Sequence, residues 1–398
     1  MEKNIRISAV VGIDPGSNGG IDMTLKVFTA FSGYDSQCMA LDRMKINYEL
    51  VGWSEIDKYA IMAHNAIYPQ YKDRNFGDIS KIDWENVPDF DLFTYSFPCT
   101  DISSAGQQKG LEEGNGTRSG LLWECKKAIE LKRPKYLLME NVKALTQKKF
   151  LPYLHKWHSF LTEMGYTNFT QILNSKNFGV PQNRERVFMV SILGDAWFDF
   201  PKPFQSDKKL KDLLDENVDD RYYLSQRCLS SFIRKNEIQR EKGNGFTFKP
   251  TNGDCIAKTI LTHPNDRLDD NYIIEPLEPN VLTPKRTEYG KKMRKAYENG
   301  DFKESRHNMT ILDPRTDGIS NTTTTVQKDN LLYEPINNKY FRIRKLTEKE
   351  CFRLMDVSDE NINKIQNYGI SKTQQYKMAG NSIVVNVLYF IFKNLFKQ

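Results

Sequence analysis

The sequence predicts an α/β fold, in which a doubly wound, mostly parallel sheet is accompanied by a second, smaller region that is mixed or β-rich. From residue 25 to about 193, short apolar runs typical of buried strands alternate with stretches typical of helices, as in βαβ units. From about 200 to 335 this alternation stops, and short strands, turns and basic clusters follow. The 398 residues are enough for two such regions.

The first region divides into strands and helices in a regular order. Its predicted strands are 25–29, 48–53, 91–95, 136–140, 169–173 and 186–192. Its predicted helices are 37–44, 56–67 and 121–131, and a Gly-rich loop at 106–120 precedes the third helix. Because ligands gather at the carboxyl ends of the strands in an open α/β sheet, we expect the functional side chains there.

Composition and charge exclude several classes of protein. Hydrophobic residues make up 39% and charged residues 27%, as in ordinary globular proteins, and no apolar run reaches the roughly 20 residues of a membrane span. The N-terminus lacks the pattern of a signal peptide, and the six cysteines are scattered without a Cys-x-x-Cys pair. We therefore expect a cytoplasmic protein without a metal site. The net charge of +6 is compatible with nucleic acid as a partner, but charge alone favours an ordinary solvated surface.

A cysteine and a glutamate follow two successive predicted strands. Phe97-Pro98-Cys99 comes after the strand at 91–95, and Glu140 ends the strand at 136–140. Taken singly, Cys99 could be a small buried apolar residue and Glu140 a solvated carboxylate. Together, at neighbouring strand ends, they indicate a nucleophile beside a group that can transfer a proton.

Five sequence blocks, in the correct order, resemble the signature blocks of DNA cytosine-5 methyltransferases. They are Ser96-Phe-Pro-Cys99, Met139-Glu-Asn-Val142, Gln182-Asn-Arg-Glu-Arg186, Arg344-Lys-Leu-Thr-Glu-Lys-Glu-Cys-Phe-Arg-Leu354 and Gly380-Asn-Ser-Ile383. The resemblance covers about 25–193 and 340–396. It implies the Rossmann-like fold of S-adenosylmethionine-dependent methyltransferases, double-stranded DNA as substrate and S-adenosyl-L-methionine as cofactor.

The resemblance also implies a division of the chain. Residues 25–200 would form the catalytic and cofactor-binding domain, and 205–335 the target-recognition domain. Residues 340–398 would return to the catalytic domain and pack on it an apolar C-terminal helix, predicted as a single helix at 378–392. Thr347, with Glu350 three residues later, predicts a capped helix start within this segment. Residues 1–24 would form a leader of unknown role. Basic clusters between 285 and 307 suit contacts with phosphates and bases, although a solvated charged face is the alternative for any single lysine.

The resemblance assigns roles to the residues of the reacting centre. Cys99 would add to C6 of a flipped cytosine, and Glu140 would hydrogen-bond ring N3. Arg184 and Arg186, which alternate with Gln182 at the start of a strand, would hold the nucleotide and orient Glu140. Gln182 and Arg118, the latter in the Gly-rich loop, would bind substrate.

The resemblance implies a cofactor site at the ends of the first two strands. Phe31 and Gly33 match the turn beneath the cofactor, Glu55 would accept the ribose hydroxyls and Asp78 the adenine amine; the remaining contacts would be Ile56, Ile79, Pro98 and Asn381. The chain departs from the family at Thr29, where an aspartate is usual, and at 34–37, where a second glycine pair is usual. For the acidic residues, a role in capping a turn is the alternative.

Two other functions stay open on the sequence alone. An RNA (tRNA) cytosine-5 methyltransferase could be built on the same blocks, although the long segment at 205–335 favours DNA. A non-catalytic DNA-binding relative could keep the fold, although intact Cys99, Glu140 and Arg186 argue against it. We expect a monomer, and a cognate restriction endonuclease is a candidate partner.

Overall fold

The computed structural model describes residues 24–99, 102, 119–243, 247–264, 267–277, 282–286, 310–314 and 340–396. Several residues singled out from the sequence lie outside this part of the chain. They are nearly all of the predicted leader, Arg118 with most of the Gly-rich loop, and the basic clusters at 291–295 and 306–307.

A six-stranded sheet in the order β2-β1-β3-β4-β7-β5 organises the first region. Its strands are β1 (Leu25–Ala30), β2 (Tyr48–Ser54), β3 (Leu92–Tyr95), β4 (Tyr136–Val142), β5 (Tyr166–Asn174) and β7 (Glu185–Leu193). Strands β1 to β4 are parallel to one another, whereas β7 runs antiparallel to both β4 and β5. This sheet confirms the predicted α/β class with a mostly parallel sheet.

Helices cover both faces of the sheet, as the doubly wound prediction requires. The first face packs against α1 (Ser36–Met44), α2 (Lys58–Ile67) and the C-terminal α9 (Val385–Phe396). The second packs against α3 (Glu124–Lys132) and α4 (Leu151–Glu163). Each face has its own apolar core, with Val27 of β1 in the first core and Phe28 in the second.

Helices α4 and α5 (Gln226–Glu241) were not expected from the sequence. Pro152 would break a helix interior, but it lies in the first turn of α4, where its missing N–H costs nothing. Helix α5 is largely polar, and its buried Phe232 packs against Phe248 and Tyr272. A helix held by so few apolar side chains has a weak periodic signal in its sequence.

The remaining described strands are short and pair locally. Strand β9 (Tyr272–Leu277) pairs antiparallel with β12 (Tyr340–Lys345), and β10 (Leu282–Arg286) pairs with β11 (Thr310–Pro314). The two-residue strand β6 (Gln182–Asn183) pairs in parallel with β8 (Ala257–Lys258). This last pair attaches the segment after residue 247 directly to the first region.

The C-terminal segment contains α6 (Glu348–Arg353), α7 (Asp359–Asn367), α8 (Lys372–Asn381) and α9. The predicted cap of α6 is confirmed, because Thr347 and Glu350 bond to each other's backbone N–H in a capping box. The predicted single helix at 378–392 is wrong: the chain is extended at Ser382, which separates α8 from α9.

One apolar stretch, Lys372–Phe396, has the length and composition of a membrane-crossing helix. The interruption at Ser382 divides it, and 61% of its apolar window is buried inside the protein. Helix α9 contacts α1, and the ring of Phe396 meets Tyr136 of β4 edge-on. Burial of this kind is typical of a core helix.

Candidate active site

The neighbouring strands β3 and β4 bring Cys99 and Glu140 to one end of the sheet. Tyr95 pairs with Met139, so Glu140 lies one residue beyond the last paired position of β3. The side-chain amide of Asn141 donates to the carbonyl oxygen of Phe97 over 2.9 Å. The loop that carries Cys99 is therefore tied to the strand that carries Glu140.

The loop around Cys99 is held from two further sides. Ser119 donates its hydroxyl to the carbonyl oxygen of Pro98 over 2.7 Å, and the N–H of Ile102 donates to the carbonyl oxygen of Cys99 over 3.0 Å. Cys99 itself remains partly exposed. Neither Asn141 nor Ser119 was predicted from the sequence to have a role, although an amide directly after a candidate catalytic carboxyl is a signal that could have identified Asn141.

Glu140 is almost buried, at 8% exposure, and contacts a guanidinium. Its Oε1 lies 3.2 Å from Nε of Arg186, which β7 supplies opposite the end of β4. Burial raises the pKa of Glu140, and Arg186, Arg184 and a hydrogen bond from Ser96 oppose that rise. The net effect raises the pKa of Glu140, so this carboxyl keeps its proton more readily than a solvated glutamate does.

Burial also raises the pKa of the Cys99 thiol, and the charge of Glu140 raises it further. Arg186 and Arg184 lower it. The site without DNA therefore holds Cys99 mainly as the thiol. A change that removes negative charge from Glu140 favours the thiolate, which is the nucleophilic form.

The Gln182 side chain contacts backbone on both sides and is fully buried. Its Oε1 accepts from the N–H of Ile260 over 3.0 Å, and its Nε2 donates to the carbonyl oxygen of Leu354 over 2.6 Å. Gln182 thus joins the first region to two distant segments. A direct contact between this amide and DNA would require these bonds to be exchanged, and substrate binding by Gln182 stays a prediction.

Arg184 makes a second set of contacts to the same two segments. Its Nη1 donates to the carbonyl oxygen of Ile260 over 3.0 Å, and its Nη2 donates to the carbonyl oxygens of Gly380 and Ser382 over 2.9 and 2.8 Å. Its buried Nε has no hydrogen-bond partner within the described residues, so one donor is left for a ligand. Burial lowers the pKa of Arg184, and the nearby Arg186 lowers it further.

The three residues do not alternate along one strand as the sequence suggested. Strand β6 ends at Asn183 and β7 begins at Glu185, so Arg184 falls in the break between them. The break separates their surroundings: Gln182 and Arg184 are buried against other segments, whereas Arg186 lies half-buried beside Glu140.

The turns after β1 and β2 are tied together by Glu55. Its Oε2 accepts from the N–H of Gly33 over 3.0 Å, and its Oε1 accepts from the N–H groups of Ile56 and Asp57 over 2.8 Å each. Gly33 has φ +59°, and a Cβ there would meet no atom within 4 Å. The turn therefore faces open space.

These turns fit S-adenosylmethionine in their chemistry. An apolar surface for a base is present, because the Ile56 side chain is 70% exposed. A carboxylate for ribose hydroxyls is present in Glu55. Between Phe31 and Gly33, the buried hydroxyl of Ser32 has no partner within the described part of the chain, which leaves a polar atom for a ligand.

The other predicted cofactor residues differ in their exposure. The Asp78 carboxylate accepts from the N–H and hydroxyl of Ser80 over 3.0 and 2.8 Å, which lowers its pKa and keeps it ionised. The side chain of Ile79 is buried, that of Pro98 is half-buried and that of Asn381 is exposed. Their contacts with cofactor stay predictions.

The departures from the family pattern in the first turn form a buried hydrogen-bonded set. Thr29 donates its hydroxyl to the Asp35 carboxylate over 2.8 Å, and Asp35 accepts from the N–H of Cys38 over 3.1 Å as the N-cap of α1. Tyr34 donates its hydroxyl to Ser382 over 2.5 Å. The residues that replace the usual aspartate and glycines thus bond to one another and to the C-terminal segment.

Comparison with known proteins assigns the chain to a family. Residues 25–397 match the family model of C-5 cytosine-specific DNA methylases. The type II methyltransferase M2.ScrFI of Lactococcus lactis subsp. cremoris is 35% identical, over 94% of this chain and 99% of the relative. The orphan methyltransferase M.SPRI of Bacillus phage SPR is 31% identical, over 93% of this chain and 97% of the relative.

Solved structures share the fold at much lower identity. The Entamoeba histolytica methyltransferase EhMeth aligns with a TM-score of 0.63 at 15% identity, over 94% of this chain and 98% of that chain. The S. pombe Dnmt2 methyltransferase aligns with a TM-score of 0.58 at 16% identity, over 93% and 97%. With the family model and the sequence relatives, the chain belongs to the C-5 cytosine-specific DNA methylases and is a DNA cytosine-5 methyltransferase.

Proposed function

We propose that this enzyme methylates C5 of a flipped cytosine within a short, specific site of duplex DNA, through a covalent bond between Cys99 and C6. The observation that carries the proposal is the junction of β3 and β4. There Asn141 ties the Cys99 loop to the Glu140 strand, and Arg186 contacts Glu140. A nucleophile, a proton donor and a cation thus share one strand end, as addition to an electron-poor ring requires.

Cys99 and Glu140 have separate roles in the proposed reaction. Cys99 first gives up its thiol proton to solvent water. Its thiolate then adds to C6 while protonated Glu140 gives its proton to N3, so the ring's electrons move toward C5. When bound, S-adenosylmethionine supplies the electrophilic methyl group that C5 takes. Loss of the C5 proton to solvent water then restores the double bond as the bond between sulfur and C6 breaks. N3 returns its proton to Glu140, and Cys99 leaves as thiolate.

The arginines fit the charge that develops during addition. Arg186 lies against Glu140 and would hold its carboxyl toward the ring. The buried Nε of Arg184, which has no partner among the described residues, would point toward the nucleotide. For the cofactor, Glu55 would hold the ribose and Asp78 the adenine amine, with the remaining contacts from Phe31, Gly33, Ile56, Ile79, Pro98 and Asn381.

We assign catalysis to 25–200, target recognition to 205–335 and a return segment to 340–398. The pairing of β6 with β8, and the bonds from Gln182 and Arg184 to Ile260, support a second lobe anchored beside the reacting centre. Both a restriction–modification role, with a cognate endonuclease as partner, and a stand-alone role are compatible with the names of the relatives. We propose that the enzyme acts as a monomer.

Methyl transfer from radiolabelled S-adenosylmethionine tests the proposal against its two alternatives. Wild-type enzyme and Cys99→Ser are each incubated with duplex DNA and with tRNA. We expect label in DNA with the wild type alone. Label in tRNA but not in DNA would indicate the RNA enzyme, and no label in either substrate would indicate a non-catalytic relative. Equal labelling of DNA by Cys99→Ser would refute the role of the thiol.

A further inference from the structure

Tyr34 connects the turn after β1 to the C-terminal segment. It follows Gly33 directly, is 1% exposed, and donates its hydroxyl to Oγ of Ser382 over 2.5 Å. Its ring meets Phe352 of α6 edge-on, with 5.6 Å between the ring centroids. The turn that faces the proposed cofactor space is therefore fastened by one side chain to a segment 348 residues further along the chain.

Ser382 continues this connection to the reacting centre. Its carbonyl oxygen accepts from Nη2 of Arg184 over 2.8 Å, and the same nitrogen also bonds to Gly380. Arg184 in turn influences the ionisation of both Cys99 and Glu140. A continuous series of contacts therefore runs from the turn at Gly33 through Tyr34 and Ser382 to Arg184.

The segment around Ser382 cannot shift without disturbing other contacts. A Cβ on Gly380 would lie 2.4 Å from the backbone of Leu261, so the end of α8 is in direct contact with the chain after β8. Lys377 of α8 bonds to the Asp57 carboxylate over 2.5 Å, and Asp57 caps α2 directly after the turn at Glu55. The two turns and Arg184 thus share one set of contacts, so a shift of either turn would be transmitted to Arg184.

We propose that Tyr34 is a positioning residue that couples cofactor binding to DNA binding, by fixing the Ser382 segment that holds Arg184. The inference deepens the proposed function and rests on it. A ligand that orders the turn at Gly33 also holds Tyr34 in place. Through Ser382 it then holds in place the carbonyl oxygens that accept hydrogen bonds from Arg184. Binding at either site then favours the arrangement that the other site needs, and the effect is reciprocal. Burial raises the pKa of Tyr34 to about 12, so the hydroxyl stays a neutral donor at physiological pH.

Calorimetry with S-adenosylhomocysteine tests the coupling. Bisulfite sequencing first identifies a site that the enzyme methylates, and a duplex with that site is prepared. The Kd of S-adenosylhomocysteine is then measured with and without this duplex. The ratio of the two Kd values is the coupling factor. Wild type should bind more tightly with DNA. Tyr34→Phe keeps the ring and removes the hydrogen bond, so its coupling factor should fall about fivefold, the scale of one such bond.

Matched variants separate coupling from general destabilisation. Tyr68→Phe removes another buried tyrosine hydroxyl, which donates to Asp42 over 2.8 Å, and should keep the wild-type factor. Ser382→Ala should reproduce the loss, and combining it with Tyr34→Phe should add nothing further. Ser382→Ala also decides the question if Tyr34→Phe does not fold.

Three results would overturn the inference: no coupling in wild type, a wild-type factor in Tyr34→Phe or Ser382→Ala, or an equal loss in Tyr68→Phe. Failure of the proposed function is distinct, since it would show as absent methyl transfer to DNA by wild-type enzyme. Normal methylation with unchanged coupling would overturn the role of Tyr34 alone.

Discussion

The side chain of Asn141 donates a hydrogen bond to the carbonyl oxygen of Phe97, with 2.9 Å between Nδ2 and that oxygen. Both residues are buried, and each lies beside a residue proposed to take part in chemistry. Asn141 follows Glu140 directly, and Phe97 precedes Cys99 by two positions. This bond ties the loop of the proposed nucleophile directly to the strand of the proposed proton donor.

Asn141→Ala should therefore slow the reaction without removing a reacting group. We expect kcat to fall on the order of tenfold or more, because one buried hydrogen bond is lost and the Cys99 loop is displaced. The Kd for S-adenosylhomocysteine should change little. Asn168→Ala, which removes an amide on β5, is the control and should keep its rate. Unchanged kcat in Asn141→Ala would show that the bond does not position the loop.

Glu140→Gln should lower the methylation rate by about 10²-fold or more, the usual contribution of a general acid or base. The amide keeps the size and a hydrogen-bond donor, but it has no transferable proton. Glu185→Gln is a matched control, since Glu185 pairs with Lys143 at the surface of the same sheet. Steady-state rates on plasmid DNA give the comparison, and a near-normal rate in Glu140→Gln would make that carboxyl merely structural.

The pH dependence of Cys99 alkylation should depend on the charges of Glu140 and Arg186. Because the Glu140 charge raises the pKa of the thiol, Glu140→Gln should shift the midpoint of iodoacetamide alkylation to lower pH. Because Arg186 lowers that pKa, Arg186→Gln should shift the midpoint to higher pH. The wild-type alkylation rate should rise with pH as the thiolate forms, with a midpoint above that of a solvated cysteine.

Mass spectrometry of the Cys99 peptide across a pH series measures these midpoints. The peptide that contains Cys228, which lies on α5, is an internal control and should alkylate alike in all three proteins. Shifts opposite in sign to those expected would mean that Glu140 and Arg186 do not control the thiol.

Sequence specificity should follow residues 205–335. Exchange of this segment for that of a relative with a different site should transfer the site, while Cys99 chemistry continues. The contacts between this segment and the catalytic region should survive the exchange. Gln182 and Arg184 bind backbone atoms of Ile260, and any residue at that position would supply the same atoms. Bisulfite sequencing of plasmid from expressing cells reports the outcome. An active chimera that still methylates the original site would refute the assignment.

The sequence could predict the sheet and the Cys99–Glu140 pair because both depend on consecutive strands. It could not predict what Gln182 and Arg184 contact, since their partners Ile260, Leu354 and Gly380 are 76 to 196 residues away. Those partners are backbone groups, which every residue carries, so the residue types at these positions do not reveal the contacts. Alternation along a strand suggested a shared face, but the strand breaks at Arg184.

The helix break at Ser382 was hidden for a similar reason. The run from 378 to 392 is apolar enough for one helix, and the extended residue is held by distant Tyr34 and Arg184. Tertiary hydrogen bonds here override local propensity. The unusual Tyr34 was visible in the sequence as a departure from the family, but its partner Ser382 was not.

Covalent trapping tests the central claim most directly. Duplex DNA with 5-fluorocytosine at the methylated position is incubated with enzyme and S-adenosylmethionine, and the adduct is digested and sequenced by mass spectrometry. Fluorine cannot leave as a proton does, so the bond between sulfur and C6 should persist, on the peptide that contains Cys99. Cys99→Ser should form no adduct. An adduct on another cysteine, or none with an enzyme that methylates ordinary DNA, would contradict the mechanism.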